Sequence, residues 1–100
     1  MGRRVEESVS AVEAAIRGEK SARLGATGEE LEKRLARLSA LRAAYAAAPE
    51  AERPAIRAAH DELRAEAERL RWNLTVQREA MGLTRHQDLD TFYPLPRRLE

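Results

Sequence analysis

The sequence predicts an all-α fold: a long antiparallel, coiled-coil-like helical hairpin with an N-terminal helix, a short C-terminal helix and an extended tail. Three observations carry this expectation. Alanine, glutamate, leucine, arginine and lysine make up well over half of the 100 residues, the composition of long helices and coiled coils. Apolar residues recur at spacings of three and four, which places them on one face of a helix. Valine and isoleucine are few and scattered, and no run of them alternates with polar residues as a half-buried strand requires.

The first helix is expected over about residues 4–19, where Val5, Val9, Val12 and Ile16 follow a 4-3-4 spacing and share one face. Glu6 and Glu13 flank that stripe. Gly18, Gly25 and Gly28 then mark a connection. A second helix is expected over 28–48, because Thr27-Gly28-Glu29-Glu30 fits the capping box, in which threonine and glutamate satisfy free backbone N–H groups. Leu31, Leu38 and Tyr45 repeat every seven residues and are joined by Leu35 and Leu41. Pro49 and Pro54 stop the helix, since proline lacks the N–H donor and its ring clashes with the preceding turn.

The third helix is the longest and most regular, over about 54–81. Ile56, His60, Leu63, Ala67, Leu70, Leu74, Gln77 and Met81 alternate by four and three, a heptad seam. Gly82 suits the left-handed position that ends many helices. The short connection before this helix makes helices two and three neighbours in a hairpin. Thr84-Arg85-His86-Gln87 is a second capping-box pattern and predicts a short helix over 85–91. Tyr93-Pro94-Leu95-Pro96 then forces an extended tail over 92–100. The whole is one domain, residues 1–100. A chain of this length buries only roughly 60–70% of its unfolded surface, so self-association would add stability.

Composition also excludes. With 18 basic and 17 acidic residues the net charge is +1, without the imbalance of a strongly basic nucleic-acid-binding domain. A mild local excess of seven basic over four acidic residues between Arg17 and Arg42 keeps that class open. The absence of cysteine removes disulfides, thiolate metal sites and a cysteine nucleophile. No apolar run approaches the roughly 20 residues of a membrane span. The first residues hold no unbroken apolar core, so no signal peptide is expected and a cytoplasmic location is the default. Asn73-Leu74-Thr75 matches a glycosylation sequon, read as chance without a secretion signal. Met1-Gly2 and Leu99-Glu100 resemble cloning junctions and are given no functional weight.

Four features are candidates for function. His60 lies on the seam and is read as a polar residue that fixes register, as a buried asparagine does in coiled coils. His86, in the tail region, is read as solvated or capping. Arg57, Arg64, Arg71 and Arg78 recur every seven residues, each just after a seam position. They form a ladder with rungs about 10 Å apart. Such a ladder can track a phosphate backbone, or lie over the seam and pair with acids, of which Asp61 and Glu68 stand four residues after Arg57 and Arg64. A ladder on phosphate would be joined by Arg34 and Arg37. Last, three of the four aromatics lie beyond Leu70. Trp72, Val76, Ala80 and Leu83 make a second apolar stripe on the last third of helix three, turned away from the seam. Phe92 and Tyr93 belong with it as candidate interface residues. Either the tail, or helix one, or another chain is expected to cover that stripe.

The sequence therefore points first to a small interaction, scaffold or adaptor protein, self-associating as a homodimer and meeting a further protein partner. A nucleic-acid-associated regulator using the arginine ladder is the alternative. A small all-α enzyme is the second, and would need a polar pocket around His60, Gln77 and Arg42. No catalytic, cofactor or metal-ligating residue is assigned.

Overall fold

The structure is a computed structural model that describes residues 2–83 and 87–100, with side chains at 11–15, 18, 22–83 and 89–100. Among the described residues three α-helices follow one another: α1 (Gly2–Ala47), α2 (Arg53–Ala80) and α3 (Gln87–Phe92), with a 3-10 turn at Glu50–Glu52 between the first two. Among the described residues there is no strand. α1 and α2 pack against each other, so the all-α hairpin expected from the periodicity is present. The molecule is a rod of 75 × 19 × 15 Å.

α2 agrees with expectation to within one residue at each end. Pro54 sits in its first turn, where a missing N–H costs nothing. Gly82, at φ 81°, ends it. The Leu83 N–H reaches back to the Arg78 carbonyl and the Gly82 N–H to that of Glu79, both at 2.9 Å, the bond pattern of a glycine-terminated helix. All eight seam residues are buried or half-buried, with His60, Leu63, Ala67 and Leu74 fully inside. Opposite them lie Leu31 and Leu38 of α1, both 0% exposed, with Leu24, Leu35 and Leu41 around them.

The N-terminal half departs from expectation. The separate helix over 4–19 and the glycine connection do not exist; α1 is one helix of 46 residues. The reason is energetic. Each glycine costs a helix only about 0.5–1 kcal/mol relative to alanine, whereas proline, which breaks helices outright, first occurs at position 49. Thr27 does not cap a new helix: its hydroxyl donates to the Arg23 carbonyl one turn back, at 3.0 Å. Glu30 turns outward and accepts from Arg34 at 2.8 Å and Lys33 at 3.3 Å. These neighbours hold its carboxyl below the usual range, the Arg34 bond foremost. Gly28 has a different purpose. It is buried against the tail, and a Cβ there would lie 2.8 Å from the Tyr93 hydroxyl.

α1 outruns α2 by about 27 Å at 1.5 Å per residue. Residues 11–15 are all exposed, Val12 at 57%. Five consecutive exposed residues cover more than a full helical turn, so nothing described lies beside α1 at that level. Helix one therefore does not fold back along the hairpin as a separate packing element. The side chains of Val5, Val9 and Ile16 lie outside the described residues, as does the capping box expected at Thr84.

Candidate interaction surface

The C-terminal segment docks onto the hairpin, and the arginine ladder receives it. α3 inserts Leu89, 2% exposed, into the core cluster of Leu31, Leu38, Leu63, Ala67 and Leu74. Half-buried Tyr93 and Leu95 pack against the same cluster, and Leu99 is only 8% exposed. Arginines then hold the tail along its length. Arg71 pairs with the Asp90 carboxylate. Arg64 donates from Nε to the Pro96 carbonyl at 2.8 Å and stands 3.9 Å from Glu68. Arg42 of α1 donates to the Arg97 carbonyl, and the Tyr45 hydroxyl donates to that of Glu100. Two of the four contacts thus come from the ladder.

Tyr45 closes the opposite end of this arrangement. Its ring lies under Arg53 and Arg57, with 5.2 and 5.5 Å from guanidinium carbon to ring centre, a cation–π geometry. Arg57 also donates to its hydroxyl, rather than pairing with Asp61 as its spacing suggested. Arg78 is engaged as well. Arg64 keeps Glu68, its expected acid, within reach while donating to the tail, and Arg71, with no acid four residues on, takes Asp90. Arg34 belongs to the Glu30 pair, not to the ladder.

The docked tail leaves the tryptophan stripe open. Trp72 is 67% exposed, Val76 46% and Leu83 42%, and Ala80 is exposed beside them. Of the three candidates to cover this stripe, the tail does fold back, but into the groove between α1 and α2. Neighbouring Phe92 and Tyr93 divide, with Phe92 70% exposed and Tyr93 turned inward. Beside Trp72 a shallow cleft of about 590 Å³ is walled by Ala65, Glu68, Arg69 and Asn73. A second cleft of about 380 Å³ runs between α1 and the tail, lined by Glu32, Leu35, Ser39, Arg42, Phe92 and the tail prolines.

His60 is 0% exposed and neither ring nitrogen meets a hydrogen-bond partner among the described residues. Burial holds its ring below the ordinary titration range. Arg42 and Arg64 push the same way, and Asp61 opposes them. The polar pocket an enzyme would need around His60, Gln77 and Arg42 is not assembled in the cleft that Arg42 lines, which includes neither of the other two. Among the described residues no cluster of acids and histidines is arranged to hold a metal ion, and no helix is long and apolar enough to cross a membrane.

Sequence reasoning missed Arg42, Tyr45, Gly28 and Leu99 as parts of the docking groove. Arg42 and Tyr45 did carry a signal: both occupy seam positions where a leucine would be ordinary. Leu99 and Glu100, set aside as a junction, take part in the fold through burial and the bond to Tyr45. Comparison of the chain with family models, curated proteins and solved structures gives no match.

Proposed function

We propose that the chain is a small helical interaction or scaffold protein that self-associates, with the Trp72, Val76, Ala80 and Leu83 stripe as its contact surface and a second copy as the occupant. A cytoplasmic setting and a further protein partner go with this reading. The hairpin is antiparallel and coiled-coil-like in this account. Tyr45 near the connection meets Arg53 and Arg57, whereas Arg34 shares a cleft with Arg69 and Asn73 farther along.

One observation carries the reading: Trp72 remains 67% exposed after the tail has docked. A tryptophan buries roughly 150–250 Å² when covered. At about 25 cal/mol per Å², covering its exposed two-thirds is worth roughly 2.5–4 kcal/mol before the cost of association. A twofold axis doubles that gain, because each copy brings the same stripe. Tryptophan is also the residue type that most often dominates an interface.

The tail contacts of Arg64 and Arg71 favour a structural ladder over a phosphate-tracking one. Trp72 is the only tryptophan, so its fluorescence is a direct reporter. Dilution of the protein should shift its emission to the red as the stripe returns to water. Emission that stays constant at the wavelength of an exposed indole, at every concentration, contradicts self-association through this surface. Retention on nucleic acid that falls steeply with salt and is lost in Arg64→Glu, with the fold intact, would favour the alternative.

A further inference from the structure

We propose that His60 is an acid-sensitive latch: adding a proton to its ring releases the C-terminal tail from the hairpin. The ring sits inside the α1–α2 seam with no exposure and no polar partner among the described residues for either nitrogen. A neutral imidazole is tolerable there; an imidazolium is not, because a buried charge without a partner loses its hydration.

The groups around it decide what gives way. Arg42 of α1 and Arg64, one turn beyond the ring on α2, act on it as nearby cations, and Asp61, next to it in sequence, opposes them. The tail contributes no acid at this point. It presents the carbonyls of Pro96 and Arg97, which accept from Arg64 and Arg42 respectively. The charged residues Arg97, Arg98 and Glu100 of the tail are exposed. Protonation therefore adds a third cation to two, with Asp61 beside the ring and Glu68 at 3.9 Å from Arg64 as the carboxylates of the cluster. Half-buried Arg64 relieves this by swinging toward water and exposed Arg42 by turning away from the ring, and each movement removes one of the tail's backbone contacts.

The tail is also the weakest element on this core. α1 and α2 share Leu31, Leu38, Leu63, Ala67 and Leu74, whereas the tail is held by Leu89, Leu99, half-buried Tyr93 and Leu95, and these arginine bonds. Segments with fewer buried contacts open before the rest.

The sign follows from linkage. Loss of the tail lets the ring's pKa rise toward, at most, its ordinary value of about 6.5, while the docked state holds it lower. The released state binds the extra proton, so docking is complete above about pH 6.5 and weakens as pH falls. Within that window the docked-to-released ratio drops about tenfold per pH unit.

The test follows backbone amide resonances of residues 93, 95 and 97–100 in the full isotope-labelled chain from pH 7.5 to 5.5. This range lies above ordinary carboxylate titration near about 4. The tail should leave its docked resonances with the same midpoint as the His60 ring, while amides of residues 60–74 stay protected. His60→Leu should remain docked throughout. Asp61→Asn, which removes the negative charge that opposes the two arginines, should move the midpoint to lower pH. The proposal is overturned if the wild-type tail stays docked while His60 titrates, or if His60→Leu releases its tail at the wild-type pH, which would trace the effect to His86. Should His60→Leu fail to fold, an unmoved midpoint in Asp61→Asn overturns it alone.

Discussion

Gly25 and Gly28 are three residues apart on one helix, yet they answer to different constraints. Nothing lies within 4 Å of a Cβ at Gly25, whereas one at Gly28 meets the Tyr93 hydroxyl at 2.8 Å. Gly25→Ala should therefore raise stability by about 0.5–1 kcal/mol in a denaturation experiment, the ordinary gain of alanine in a helix. Gly28→Ala makes the same gain in α1 but displaces the Tyr93 ring, so its tyrosine resonances should shift while those of Gly25→Ala do not. Identical behaviour of the two variants would contradict the docking of Tyr93 at Gly28. His60 adds a second prediction at this scale. Because the folded state favours its neutral ring, unfolding takes up a proton below about pH 6.5. Urea-unfolding stability should fall between pH 7 and 5.5, and His60→Leu should flatten that part of the profile. A wild-type profile that is level or rises toward acid contradicts the burial of a neutral ring.

At the scale of elements, the tail is the part whose loss should be separable. Leu89 is 2% exposed, and shortening a buried leucine to alanine typically costs about 2–5 kcal/mol. Leu89→Ala should make residues 93–100 open to proteases while the helical circular dichroism hardly changes, since α3 contains only six residues. Simultaneous loss of tail protection and helix would mean that α1 and α2 do not stand without the tail. What the sequence revealed at this scale divides by physical cause. The seam of α2 was legible in full, because burial of a helix face imposes a period that residues such as Ile56, Leu63, Leu70 and Met81 record directly. Its ends were legible through Pro54 and Gly82. The continuity of α1 was not. Gly18, Gly25 and Gly28 look alike in sequence, while the costs they add to a helix are too small to break it. The groove for the tail was hidden as well, because backbone carbonyls such as those of Pro96 and Arg97 leave no mark in a sequence.

For the whole molecule, the rod shape sets the problem that the proposed self-association would solve. A 75 Å rod only 15–19 Å thick has little interior for its length, and its core cluster is built around Leu31, Leu38, Leu63, Ala67, Leu74 and Leu89. The tail covers one side of the hairpin and leaves Trp72, Val76 and Leu83 facing water on another. The arginine ladder is committed at Arg64 and Arg71 to holding that tail, and at Arg57 to the Tyr45 end. Its regular spacing thus serves a docking contact as well as it would serve a phosphate backbone. The expected stripe was recognisable from spacing; that the tail would bypass it was not, since both candidates offered comparable apolar residues.

The central claim is that this open stripe joins two copies, and absolute mass by light scattering tests it most directly. Across a concentration series the wild-type chain should approach twice the 11.3 kDa of one copy, while Trp72→Ala remains near a single copy with its helical content unchanged. A wild-type mass of one copy at every concentration, or a dimer that Trp72→Ala leaves intact, would contradict it.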